Sequence, residues 1–178
     1  METSAQKWIV DPTHSEIEFA VRHMMISTVK GQFTKFNLVA TGNENALQNG
    51  SVEVHIDTSS IETREKDRNN HLKSQDFFHA EKFPEIVFKS TSIKELGDNE
   101  FSVKGNMTVK DVTKEIDFHT VLDGVIKDPY GKTRAGLTVE GELNREDFGL
   151  TWNMIIEAGK VMVGNKVKLS GRFEIVKQ

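Results

Sequence analysis

Histidine offers the widest range of possible chemistry in this chain, because the sequence contains no cysteine. The absence of cysteine excludes disulfides, thiolate nucleophiles and cysteine-ligated zinc or iron–sulfur centres. None of the histidines forms the His-Glu-x-x-His pattern of a zinc protease, and we predict no metal site. The six histidines are His14, His23, His55, His71, His79 and His119.

His23 is the histidine whose position favours contact with a ligand. It shares one face of an alternating segment with Phe19 and Val21, so its ring is expected inside the fold. The favoured interpretation is a hydrogen-bonded interior imidazole. Contact with the head group of a ligand is the alternative, and metal ligation is a third.

The pair His14-Ser15 suggests a base next to a nucleophile. Neighbouring side chains on a strand point to opposite faces, so the two cannot form the hydrogen bond that activates a serine. The sequence also lacks a Gly-x-Ser-x-Gly elbow. A partial P-loop at 130–133 fails because Ile126 stands where the motif requires its first glycine. We predict no catalytic residue, no nucleotide site and no cofactor.

Four side chains are candidates for contact with a charged head group: His14, Arg64, Arg68 and Arg145. Arg64 and Arg68 lie in the mixed-charge segment Glu62–Gln75, which favours a solvated face; the alternative is a mouth that receives a pyrophosphate. For Arg145 the favoured roles are pairing with Asp147 or capping of backbone carbonyls.

The composition narrows the class of protein. The chain has 178 residues, with 23 Lys and Arg against 27 Asp and Glu, a formal charge of −4. This balance argues against a nucleic-acid partner. At roughly 150 residues per domain, the sequence predicts a single domain over 1–178. The N-terminal residues carry no apolar signal region, and no stretch approaches the roughly 18 apolar residues of a membrane span. We expect a cytoplasmic protein without an integral membrane segment.

Alternation with a period of two dominates the chain and predicts antiparallel strands with one apolar face each. Phe33 and Phe36 are an odd number of residues apart, which predicts a bulge in the strand Gly31–Thr41. Glycines on apolar strand faces, at 105, 141 and 171, are typical of bends at barrel corners.

The segment Glu62–Gln75 breaks the alternation, since it is polar and lacks β-branched runs. We predict a short helical or irregular connection at one end of the fold. Eight or nine strands with one such interruption favour an all-β, closed or nearly closed antiparallel barrel. A β-sandwich is the rival architecture.

Five blocks in chain order give the sequence a family resemblance. They are Trp8–His23, Val29–Phe33, His71–Ser90, Gly105–Lys114 and Asn144–Trp152. The most specific block combines His71-Leu72-Lys73-Ser74 with Asp76-Phe77-Phe78. Together the blocks resemble the YceI-like family of lipocalin-like, polyisoprenoid-binding proteins nearly end to end. The sequence departs from the family pattern at Asn69, where aspartate is usual, and at Met107 and Asp111, where leucine and glycine are usual.

The resemblance implies an extended, lipocalin-like antiparallel β-barrel of about eight strands that holds a long isoprenoid in its lumen. It also implies a possible homodimer, and it implies no reaction. We therefore predict a carrier or store for a polyprenyl phosphate or an isoprenoid quinone. The rivals are an enzyme acting on a small lipid through His23 or His14, and a stress-related interaction protein whose barrel is a packed core without ligand.

On this hypothesis the apolar strand faces form the lining of the lumen. Trp152 and Phe148 are predicted to close one end of the barrel, and Phe77 and Phe78 the other. The predicted lining residues are Phe19, Val21, His23, Phe33, Val54, Phe88, Met107, Phe118, Val139, Phe148, Trp152 and Phe173.

Overall fold

Strands dominate the computed structural model, which describes residues 5–43 and 46–178. The helix α1 spans Lys66–Lys73, inside the segment predicted to be helical or irregular. The strands are β1 Gln6–Val10, β2 Glu16–His23, β3 Ser27–Phe33, β4 Phe36–Asn43, β5 Ala46–Asp57, β6 Ile61–Glu62, β7 Glu85–Gly97, β8 Glu100–Val109, β9 Val112–Lys127, β10 Thr133–Asn144 and β11 Val163–Lys177.

The strands close into an antiparallel ring. The order β1-β4-β5-β7-β8-β9-β10-β11 returns to its start, because β11 also pairs with β1 through Trp8 opposite Lys177 and Val10 opposite Ile175. This closure makes an eight-stranded barrel and removes the sandwich as an alternative. The all-β barrel predicted from the alternation is confirmed.

Two of the eight positions in the ring are each occupied by two consecutive strands, β1 with β2 and β3 with β4. A short 3-10 turn at Pro12–His14 separates β1 from β2, and two residues separate β3 from β4. The predicted bulge between Phe33 and Phe36 is therefore a break between two strands. The break arises because the neighbours change: β3 pairs with β2 and β6, whereas β4 pairs with β1 and β5.

Strand β8 illustrates how alternation builds the interior. Phe101, Val103, Met107 and Val109 are buried, whereas Lys104 between them is exposed. The same alternation on the other strands gives a core that faces the barrel axis. Two pairs of rings meet edge to face within it, Phe88 with Phe118 and Phe36 with Phe173.

The strand glycines make room for phenylalanine rings that lie across them. A Cβ atom at Gly141 would lie 2.6 Å from the ring of Phe118, and one at Gly171 would lie 2.5 Å from the ring of Phe173. Such distances are far below ordinary contact, so any larger residue would displace a ring. Close approach of rings therefore accounts for glycine at these positions.

Gly105 provides a test of this packing. A Cβ atom there would lie 2.6 Å from the Phe88 ring and would also clash with backbone of β7. We expect Gly105→Ala to lower the free energy of unfolding by about 1–3 kcal/mol, the usual cost of overpacking. Urea denaturation measures the change. Gly124→Ala is the control, because a Cβ atom at Gly124 would meet nothing within 4 Å; equal losses in both variants would contradict the account.

The long connections gather at one end of the barrel, which we call the α1 end. The insertion with β6 and α1 follows β5, and the segment 145–162 follows β10. Four strands lie between these insertions, and an even number of antiparallel strands returns the chain to the same end. The turn between β2 and β3 also lies there, since His23 pairs with Val163 at the start of β11. Within the described residues, no helix is long and apolar enough to span a membrane.

Candidate ligand-binding site

The barrel encloses an apolar cavity of about 330 Å³. This volume lies at the lower end of the roughly 300–1,000 Å³ typical of small-molecule sites. All twelve residues that the sequence analysis placed in the lumen line the cavity. The same alternation could also have identified further lining residues that the analysis did not single out, namely Leu38, Ile56, Ile86, Leu137, Leu143 and Leu169.

Rings from both long insertions close the cavity at the α1 end. The rings of Phe77 and Trp152 lie 5.4 Å apart, and Phe78 packs edge to face on Phe33 at 6.0 Å. The prediction that Phe77 and Phe78 close one end and Trp152 and Phe148 the other is therefore wrong. The sequence reading missed the even number of strands between the insertions, which brings both to the same end.

His71 is a site residue that the sequence analysis did not select. Its ring lines the cavity and meets Trp152 at 4.6 Å and Phe77 at 5.1 Å, both edge to face. Its Nε2 lies 2.9 Å from Oδ2 of Asp76, which links the ring to the turn after α1. The signal that could have identified it is the block His71-Leu72-Lys73-Ser74, which carried the family resemblance.

Arg145 is a buried cation that holds the segment 149–164 in place. Its side chain donates hydrogen bonds to the carbonyl oxygens of Leu150 at 2.6 Å, Gly164 at 2.8 Å and Trp152 at 2.9 Å. Burial lowers the pKa of its guanidinium, and the nearby Glu146 opposes that shift. Capping of carbonyls, the favoured interpretation of this residue, is what the contacts show. Arg145 also contributes to the cavity lining, next to Trp152.

The other three head-group candidates separate into two groups. Arg68 lines the cavity, and its guanidinium donates to the hydroxyl and the carbonyl oxygen of Thr63. His14 and Arg64 lie outside the cavity lining. The His14 side chain is 63% exposed beside Asp11, and Arg64 is an exposed residue in the turn before α1. The structure therefore brings Arg68 and Arg145, but not His14 and Arg64, to the cavity.

Asn69, where the family resemblance leads us to expect aspartate, is buried within α1. Its Oδ1 accepts hydrogen bonds from the amide and the hydroxyl of Thr63 at 2.8 and 2.6 Å. Its Nδ2 donates to the carboxylate of Glu62 at 3.1 Å. The amide supplies a donor that a carboxylate lacks, so it can bind Glu62 without placing two negative charges together.

A second polar cluster lies at the junction of β1 and β2. Asp11, His14 and Glu174 offer ligand atoms within 4.8 Å of one another, a spacing that could hold a metal ion. However, Arg134 reaches into the cluster, since its Nη1 donates to Asp11 at 3.0 Å and to Glu174 at 2.8 Å, and its Nε donates to Asp128 at 2.8 Å. An arginine that already pairs with these carboxylates makes the cluster an ion-pair network.

Acid should weaken this network. Hydrogen bonds from the Thr13 hydroxyl and from His14, with a smaller contribution from Arg134, hold the pKa of Asp11 well below its ordinary value. A lowered pKa stabilises the fold above the ordinary carboxyl pKa, and this stabilisation is lost as the pH falls below about 4. We expect Asp11→Asn to be less stable than the wild type at neutral pH, and the gap to narrow between about pH 4 and 2.

Urea denaturation over this pH range measures the gap. Asp111→Asn, in the exposed turn between β8 and β9, is the control. A gap that stayed constant as the pH fell would show that the ionised carboxylate of Asp11 contributes nothing.

The fold and the cavity place the chain in the class of closed antiparallel barrels that enclose a small apolar site. The chain belongs to the YceI-like family, since the model of the YceI-like domain matches residues 8–175.

A relative agrees with this assignment, and two solved structures share the fold. A UPF0312 protein of Staphylococcus aureus strain N315 is 38% identical over 165 residues, which is 92% of this chain and 94% of the relative. The crystal structure of Burkholderia cenocepacia BcnA superimposes with a TM-score of 0.78 at 21% identity, over 95% of this chain and 99% of that chain. A polyisoprenoid binding domain from Saccharophagus degradans, implicated in plant cell wall breakdown, superimposes with a TM-score of 0.70 at 12% identity, over 96% of this chain and 98% of that chain.

Proposed function

We propose that this protein binds a long apolar isoprenoid, such as a polyprenyl phosphate or an isoprenoid quinone, in the barrel lumen and carries or stores it. The observation that carries the proposal is the apolar cavity lined by strand residues from all around the barrel. The polyisoprenoid binding domain of Saccharophagus degradans, a fold neighbour, supports the choice of ligand class.

The shape of the cavity favours a single chain. Along β10 the lining extends from Leu137 to Leu143, which is about 20 Å at roughly 3.3 Å per residue. A volume of about 330 Å³ over that length corresponds to a mean cross-section of roughly 17 Å². One hydrocarbon chain fits such a cross-section, whereas two chains side by side do not.

The volume also limits how much of the ligand lies inside. At about 30 Å³ for each water-sized group, the cavity holds roughly eleven methylene groups. Their burial contributes about 9 kcal/mol gross at ~0.8 kcal/mol each, which is comparable with the roughly 4–15 kcal/mol cost of association. A longer chain would extend through the α1 end, and its head group would lie near Arg68 and His71.

Two rivals make different predictions. A packed barrel without ligand predicts a filled lumen, and the cavity supports binding instead. An enzyme acting on a small lipid would need an acid–base group against the substrate, and His23 lines the cavity. Turnover that His23→Ala abolished while binding persisted would favour the enzyme.

Native mass spectrometry of freshly purified protein, followed by denaturation and identification of the released molecule, tests the proposal. A stoichiometric prenyl chain, released unchanged, is the expected result. A protein that is empty and takes up neither quinones nor polyprenyl phosphates would overturn the proposal.

A cytoplasmic location and a homodimer are also part of the proposal. The cytoplasm agrees with the absence of cysteine, and the homodimer with the family resemblance. Cell fractionation tests the location, and light scattering coupled to size exclusion tests the dimer.

A further inference from the structure

Five large apolar side chains lie exposed together at the α1 end. They belong to two turns, one between β2 and β3 and one in the segment 153–162, and Ile26 and Ile155 are 81% and 78% exposed. Exposed apolar groups of this size concentrated at one place mark an interaction site. We call the set the apolar lip: Met24, Met25, Ile26, Met154 and Ile155.

Backbone hydrogen bonds join the two turns into one surface. The amide of Met24 donates to the carbonyl of Met162 at 2.7 Å, and the amide of Met162 donates to the carbonyl of Met154 at 2.9 Å. Ile155 is bridged to Val161 in the same small hairpin. The lip is therefore a continuous, backbone-supported edge.

The turn of the lip between β2 and β3 carries side chains that are unfavourable for its backbone conformation. Met24 and Met25 have φ values of 51° and 61°, and the amide of Ile26 donates to the carbonyl of His23. This geometry is that of a type I′ turn, where asparagine and glycine are preferred. Two methionines in left-handed conformations are costly, and strain of this kind concentrates at functional positions.

The lip is continuous with the ligand cavity. His23 and Val163, which pair at the base of the lip, both line the cavity, and so does Met162. A chain that leaves the lumen along this edge meets apolar side chains all the way to the tips of the turns.

The charges around the lip indicate what it contacts. The whole chain has a net charge of −4, yet residues 20–30 and 151–168 carry five cationic side chains against the carboxylate of Glu157. The neighbouring end of β10 and the turn after it add the carboxylates of Glu142, Glu146 and Asp147, which leaves this part of the α1 end with a small positive balance. Lys166 pairs with Glu142 at 3.6 Å, and Arg22 donates to the carbonyl of Met25. Residues 62–85, in the other insertion at the α1 end, carry five cations against six carboxylates. The cations near the lip are Arg22, Lys30, Lys160, Lys166 and Lys168.

We propose that the apolar lip inserts into the surface of an anionic lipid bilayer, with the surrounding cations against the lipid head groups. Apolar side chains that enter the interface together with basic residues near the surface are the elements of peripheral membrane binding. The docking itself is independent of the cargo. Its purpose rests on the proposed function, because an isoprenoid resides in the membrane and would pass along the lip without crossing water.

Flotation of the full chain with vesicles of equimolar phosphatidylglycerol and phosphatidylcholine tests the proposal. We expect the wild type to float with these vesicles and less with pure phosphatidylcholine. Met25→Asp with Ile155→Asp should lower the partition coefficient by at least about tenfold, the factor expected for loss of one buried apolar side chain. The matched control is Ile126→Asp with Tyr130→Asp at the opposite end, where both residues are also exposed to solvent; it should float like the wild type.

A second variant separates docking from folding. Met24→Asn with Met25→Gly supplies the preferred residues of a type I′ turn, so its melting temperature should rise by about 2–4 °C while its vesicle binding falls. A wild type that does not float, or lip variants that float like the wild type, would overturn the proposal. Lip variants that change the oligomeric state in solution instead would assign the lip to a second copy of the chain.

Uptake of a short prenol, measured without vesicles, distinguishes membrane docking from isoprenoid binding. Lip variants that bind the prenol but do not float support docking as a separate property. A wild type that floats but binds no prenol would overturn the proposed function and leave the docking in place.

Discussion

Phe118→Arg is expected to abolish uptake of an apolar chain while the barrel stays folded. The Phe118 ring lines the cavity, lies over Gly141 and meets Phe88 edge to face at 5.1 Å. In the free protein an arginine at this place can be solvated by water in the cavity. A bound chain would expel that water and leave the guanidinium unpaired in an apolar lumen, at a cost of about 3–5 kcal/mol, so affinity should fall about 150- to 5,000-fold.

Titration with a fluorescent prenyl analogue measures this change, and circular dichroism checks the fold. His119→Arg is the matched control, because it places the same group one residue further on β9, where His119 lies on the exposed outer face beside Glu100 at 3.7 Å. If Phe118→Arg does not fold, Val139→Trp fills the lumen without a charge and should also block uptake. A folded variant with unchanged uptake would show that the ligand binds elsewhere.

Arg145→Ala is expected to cause the largest loss of stability. Arg145 is 3% exposed, and its guanidinium donates to the carbonyl oxygens of Leu150, Trp152 and Gly164, with a longer bond to Val163 at 3.3 Å. Its removal leaves several buried acceptors unpaired, at about 1–3 kcal/mol for each group. We expect a total loss of about 3–5 kcal/mol, because water will reach some of the freed carbonyls.

Urea denaturation measures the loss, and limited proteolysis should show faster cleavage within residues 150–162. Arg145→Lys should restore part of the stability, since an ammonium group has three donors but not the planar fork of a guanidinium. The control is Arg172→Ala on the outer face of β11, where the arginine is 76% exposed and pairs with Glu16 at 3.9 Å; it should change stability by no more than about 0.5 kcal/mol. A loss below 1 kcal/mol in Arg145→Ala would contradict the anchoring role.

The lumen could be predicted because a strand has only two faces. Once the alternation assigned Phe19 and Val21 to the apolar face of β2, closure of the sheet had to turn that face inward. The same reasoning placed Met107 and Phe118 inside, and all of them line the cavity. The odd spacing of Phe33 and Phe36 showed that the apolar face of the strand changes between them. This spacing alone does not distinguish a bulge from a break between two strands.

The relation between distant segments could not be predicted in the same way. Trp152 and Phe77 are 75 positions apart in the chain, and their contact depends on how many strands separate the two insertions. His71 becomes a site residue only through that contact, because it lies in a polar segment without the alternation that identifies the inward faces of the strands. The carbonyls that Arg145 binds likewise belong to a segment whose path no local pattern specifies.

The sequence by itself determined the strands, their inward faces, the place of the polar connection and the family of this protein, because each of these depends on local alternation or on motifs within a few residues. Only the tertiary structure decided which end of the barrel carries the insertions, that Arg134 occupies the cluster of Asp11 and Glu174, and that two apolar turns meet in one lip. These features are contacts between residues far apart in the chain. They depend on closure of the ring and on whether the number of strands between two segments is even or odd, and no single segment encodes either property.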